Sequence, residues 1–112
     1  MQRNGLAWII SRSRLRDFWQ TGHADAREPL SAWHKDVEHA DWTKWADVKA
    51  MYRSADQVGD CVVFNIGGNK YRLIARIRYS SHKVYVLKVL THKQYDAGKW
   101  KRECGCYEPP PG

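Results

Sequence analysis

The sequence predicts an α+β domain, with an N-terminal strand and two to three helices packed on one face of a small antiparallel sheet. Three observations carry this. Residues 71–79 alternate apolar and mostly cationic side chains, as a half-buried strand does. Residues 15–19 and 30–40 instead place apolar side chains at helical spacing. Gly67-Gly68-Asn69 sits between runs rich in β-branched and aromatic residues and supplies the positive φ that a hairpin turn demands.

In order, Leu6-Ala7-Trp8-Ile9-Ile10 reads as a first strand. Ser11 is placed to cap the next helix, whose stripe is Leu15, Phe18 and Trp19, with Arg12, Arg14 and Arg16 standing off it. Gly22 ends that helix. A second helix starts around residues 25–29, because proline is tolerated in a first turn, where its missing donor has no partner anyway. Leu30, Trp33, Val37 and Ala40 form its core face. Residues 41–45 connect, Asp47 is placed to cap a short third helix, and residues 54–60 read as a polar loop.

The hairpin follows. On its exit strand Tyr71, Leu73, Ala75, Ile77 and Tyr79 point one way. Lys70, Arg72, Arg76 and Arg78 point the other way, with Ile74 among them. A row of cations on one face repels itself, so it makes most sense facing a polyanion. A third meander strand spans about 83–90, and the length of the turn at Ser80-Ser81-His82 decides which face Lys88 takes. Residues 91–96 read as a helix start or a turn. The domain is expected to run over 1–103, with 104–112 a disordered Pro-rich tail.

Composition bounds the partners. The chain of 112 residues suits one domain. Its 19 Lys and Arg against 12 Asp and Glu give a net charge of +7, which favours nucleic acid over other partners. Three cysteines, an odd count, argue against a disulfide framework and for a reducing cytosol. Cys104-x-Cys106 has no matching pair at zinc-finger spacing. No apolar run approaches the roughly 20 residues of a membrane span, and residues 1–10 are too short for a secretory signal. Neither a metal nor another cofactor is expected; Gly67-Gly68 is a turn, not a phosphate loop.

The cationic face can also do chemistry. An arginine clamps a phosphate with two hydrogen bonds and stays charged. A histidine gives or takes a proton near neutrality. Arg72 lies on the second hairpin strand, His92 just beyond the end of its neighbour, and Tyr95 one helical turn further on. RNA cleavage needs little more than a base for the 2′-OH, an acid for the leaving 5′ oxygen and cations on the phosphate. Each residue also has an ordinary reading: His92 as an exposed or capping histidine, Tyr95 as a core-edge aromatic, the arginines as a solvated strand face, Lys70 as turn surface. Composition alone supports a nucleic-acid surface better than catalysis.

Two motifs favour catalysis. Val63-Phe64-Asn65-Ile66-Gly67-Gly68-Asn69-Lys70-Tyr71-Arg72-Leu73, followed by Thr91-His92-Lys93-Gln94-Tyr95-Asp96, resembles the HigB family of type II toxins, within the RelE-like mRNA interferases. Ile9-Ile10-Ser11-Arg12-Ser13-Arg14-Leu15, Ala40-Asp41-Trp42 and Ser54-Ala55-Asp56 are similar too, so the likeness spans about 7–98. The resemblance implies a RelE-like microbial RNase fold. It also implies cytoplasmic cleavage of mRNA in the ribosomal A site, and neutralisation by a HigA-type helix-turn-helix antitoxin. Arg72 matches the family's phosphate-contacting arginine, His92 a strand-end position held by Arg or His, and Tyr95 a C-terminal aromatic. We therefore expect Arg72, His92 and Tyr95 to be catalytic, and Lys70, Asn69, Arg76, Arg78, Lys88 and Lys93 to hold RNA. The alternative is a non-catalytic RNA- or ribosome-binding module using the same basic face.

Overall fold

The computed structural model describes residues 7–106. Its elements are β1 (Trp8–Ile10), α1 (Ser13–Gln20), α2 (Arg27–Glu38) entered through a 3-10 turn at Ala24–Ala26, and α3 (Trp45–Met51). Then come β2 (Asp56–Val58), β3 (Cys61–Ile66), β4 (Tyr71–Arg78), β5 (Lys83–Thr91), α4 (His92–Ala97) and α5 (Trp100–Glu103). The fold is α+β, as expected. Residues 107–112, which hold most of the expected tail, lie outside the described residues, as does Leu6.

The sheet order is β1-β5-β4-β3-β2. The sheet is mixed, not antiparallel: β1 runs parallel to β5, with Trp8 opposite Lys83, while the other pairs are antiparallel. The expected polar loop at 54–60 holds β2. Val58 pairs with Cys61 around Gly59-Asp60, and Gly59 takes φ 57°, the geometry of a two-residue hairpin turn.

One face of the sheet packs the helices. Leu15, Leu30, Trp33, Val37 and Val48 meet Phe64, Leu73, Ala75, Val84 and Val86, with Trp33 and Trp42 both against Phe64. The helix starts differ in detail from expectation. Ser11 does not cap α1; it adopts φ 66°, and Arg12 occupies the N-cap position with no side-chain cap. α3 begins two residues before Asp47, whose carboxylate reaches back to accept from the Thr43 backbone N–H and hydroxyl.

The other face is not open. Cys61, Val63, Ile74, Leu90, Trp100 and Cys106 form a second core there, and α4 and α5 cover it. This corrects the placing of the helices on a single face. It also explains why Tyr71 to Ala75 are all buried: a strand covered on both sides has no wet face. Ile74, the apolar exception in the cationic row, belongs to this second core. Cys61 and Cys106 form a disulfide, against the expectation of none, and Cys104 is the free thiol. Cys104–Cys106 are thus packed on the sheet, whereas the tail was expected to begin there.

A bulge in β5 settles Lys88. Ile74 faces Lys88 but Ala75 faces Val86, so Leu87 is the extra residue. The carbonyl of Leu87 accepts from Arg14 Nη1 at 3.1 Å. Val86 faces the helical core and Leu87 the second core, and Lys88 emerges opposite Ile74, on the α5 side.

Candidate active site

Arg72 is the centre of the site. It is 8% exposed and is the buried charged residue of the described chain. Its Nη1 donates to the carbonyls of Asn69 and Tyr71 at 3.1 and 3.2 Å, and its Nη2 to Asn69 Oδ1. Tyr95 lies against the guanidinium, with the charge 5.1 Å from the ring centroid, a cation–π distance. Among the described residues no carboxylate pairs with Arg72. A buried cation held only by neutral oxygens and an aromatic face is a ready seat for an anion.

α4 supplies the other side chains. Thr91 caps it with a full capping box: its hydroxyl accepts from the Gln94 N–H, and the Gln94 side chain accepts from the Thr91 N–H. Because Thr91 pairs with Tyr71, the cap fixes α4 directly at the end of the strand that carries Arg72. His92 and Tyr95 then share the turn. His92 Nδ1 lies 3.0 Å from Asp96 Oδ2, one turn along. A hydrogen bond from Nδ1–H to that carboxylate leaves Nε2 as the proton-exchanging nitrogen. Burial, and secondarily the charge of Asp56, push the Tyr95 phenol above its ordinary value, while Arg72 pulls the other way. The phenol therefore stays protonated at neutral pH.

The structure brings together Arg72, Tyr95 and, on the same helix turn, His92. The expected RNA-binding set fares differently. Asn69 is engaged with Arg72. Lys70 leaves Arg72's face and pairs with Asp25, which also accepts from the Tyr71 hydroxyl. Arg76 donates to the carbonyls of Cys104 and Gly105 at 3.3 and 3.0 Å. Lys88 pairs with Glu103. Arg78, at the exposed end of β4, and Lys93, in the first turn of α4, remain exposed.

Sequence reasoning missed Asp96 and Trp100. The signal for Asp96 was its spacing of four from His92, the spacing of a helical side-chain pair. Trp100 stacks on Tyr95, with centroids 5.2 Å apart and planes at 14°, and its indole N–H donates to the Tyr95 carbonyl at 3.0 Å. Nothing in the local pattern pointed to that contact.

A buried arginine with no carboxylate partner among the described residues, and on the adjoining helix an imidazole paired with a carboxylate, are groups able to handle a phosphate. Residues 26–98 match the model of the HigB toxin family, described as the RelE-like toxic component of a toxin–antitoxin system. The chain is 30% identical over 91 residues to the mRNA interferase toxin HigB of Escherichia coli K12, covering 79% of this chain and 86% of that protein. The mRNA interferases HigB of Escherichia coli O157:H7 and Shigella flexneri match to the same extent. The chain belongs to the HigB toxin family.

Proposed function

We propose that this toxin is an mRNA interferase that cleaves translated mRNA by acid–base attack of the ribose 2′-OH, without a metal. The observation that carries the reading is Arg72: buried, unpaired by any described carboxylate, and adjoined by Tyr95 and the turn bearing His92. Three of the five guanidinium N–H groups are spent on Asn69 and Tyr71. The remaining two suffice to grip a scissile phosphate and to offset the charge that builds on it in the transition state. His92, with Asp96 fixing its Nδ1 proton, exchanges a proton through Nε2 with the attacking or leaving oxygen. Tyr95 packs the guanidinium in place and offers a phenolic donor or a stacking face.

The net charge of +7 suits a ribosomal site walled by RNA backbone. The partners this reading names are the ribosome with mRNA in its A site, and a HigA-type helix-turn-helix antitoxin. The place of action is the cytoplasm, where such mRNA is found. No helix of the described residues is long and apolar enough to cross a membrane.

The test is induction of the wild type and of His92→Ala in bacteria lacking the antitoxin, with primer extension on a translated reporter. Wild type should arrest growth and leave discrete in-frame cuts. His92→Ala should lose on the order of 10²- to 10⁴-fold in cleavage rate while remaining folded. A folded His92→Ala that cuts at the wild-type rate removes His92 from the chemistry. RNA binding without cuts by the soluble wild type would establish the non-catalytic module instead.

A further inference from the structure

The family match ends at residue 98, yet the residues beyond it are fastened closely to the site. We propose that residues 99–106 form a strap that completes the site: Trp100 is a positioning residue that holds Tyr95 against Arg72, and the Cys61–Cys106 disulfide clamps the strap in place. The proposal rests on the reading of Arg72 and Tyr95 given above.

The geometry is a three-layer stack. Trp100 lies flat under Tyr95, and Tyr95 lies against the Arg72 guanidinium. Trp100 is 1% exposed, so it has little room to turn. Its N–H to the Tyr95 carbonyl ties the two residues by backbone as well as by ring. Among the described residues the Tyr95 phenol has no hydrogen-bond partner, so this ring contact and the guanidinium set its plane.

The strap is held along its length by contacts to the sheet. Lys88 grips Glu103, and Arg76 holds the carbonyls of Cys104 and Gly105. The Asp60 N–H donates to the Cys106 carbonyl at 3.0 Å, and the disulfide joins Cys106 to β3. Two of the cations expected to meet RNA are thereby spent on the strap. A dithiol such as dithiothreitol releases the clamp in a balanced step: two electrons and two protons pass to Cys61 and Cys106, and the dithiol closes to its own cyclic disulfide. With the clamp open, as the reductants of a cytosol favour, the noncovalent contacts alone oppose the fraying of the strap and the drift of Tyr95.

A misplacement of about 1 Å at a catalytic site costs as much as 10²-fold in rate. Cleavage of ribosome-bound mRNA by purified toxin, with kcat and KM separated, tests the proposal. Trp100→Ala should lower kcat by about 10- to 100-fold with KM changed far less, and Trp100→Phe should recover most of it by restoring a ring under Tyr95. Trp100→Ala should cost nothing further in a Tyr95→Ala background, because its effect passes through Tyr95. Reduction with dithiothreitol, under conditions where circular dichroism shows the fold intact, should lower kcat of the wild type and leave Trp100→Ala unchanged.

Equal losses in both backgrounds, or full activity of reduced wild type, would overturn the proposal. If Trp100→Ala does not fold, the Trp100→Phe and reduction arms decide it. An active Tyr95→Ala would instead overturn the underlying reading of the site, which separates the two failures.

Discussion

His92 and Asp96 are both substantially exposed, so their pairing adds little to stability; exposed ion pairs contribute about 0–1 kcal/mol. In the mechanism proposed above, its use is to orient the His92 imidazole. Asp96→Asn should leave the melting temperature nearly unchanged and lower the cleavage rate. Asp25 is equally exposed in its pairing with Lys70, but it differs in also accepting from the hydroxyl of the buried Tyr71. Hydrogen bonds from Lys70 first and Tyr71 second hold its pKa below the ordinary 3.8. A lowered carboxylate pKa adds stability that is complete above the unfolded value and drains away as the pH falls through it to the folded one. The thermal midpoint should therefore begin to drop as the pH falls towards 3.8 and keep dropping below it, and Asp25→Asn should flatten that drop. A fully resistant wild type would show that this latch on the hairpin is not formed in solution.

At the scale of elements, the second face of the sheet is where sequence and structure part. The alternation at 71–79 was legible, and so were the apolar stripes of α1 and α2, because each is a local period. The covering of the far face was not, since it depends on where residues 98–106 return. Ile74, fully buried among cations, was the one local hint. β2 was concealed for a similar reason. Asp56-Gln57-Val58 has no strong strand composition, and only the Gly59-Asp60 turn marked it. Arg72, His92 and Tyr95 could be named as candidates because the motifs carry them, while Trp100 and the pairing of Lys70, Arg76 and Lys88 required the fold. The capping box at Thr91 gives a prediction at this scale. Thr91→Ala should cost about 1 kcal/mol in chemical denaturation and should impair cleavage more than that loss of folded protein explains, because it loosens α4 under His92 and Tyr95.

At the scale of the molecule, two cores share one sheet, and the disulfide ties the smaller of them across 45 positions of sequence. Cross-links of that span contribute roughly 2–4 kcal/mol by restricting the unfolded chain. Denaturant titration with and without dithiothreitol should show a difference in unfolding free energy of that size. Cys61→Ser/Cys106→Ser should match the reduced wild type and be insensitive to the reagent. A shift below about 0.5 kcal/mol would mean that the smaller core is self-supporting.

The parallel pairing of β1 with β5 also sets a schedule for the newborn chain. Trp8 is synthesised early, but its partner Lys83 follows only after the three helices and most of the meander. At about 5–20 residues per second that interval lasts about 4–15 s. Arg72, His92 and Trp100 emerge in that order, so the contacts among Arg72, Tyr95 and Trp100 cannot form until the last of them has cleared the exit tunnel.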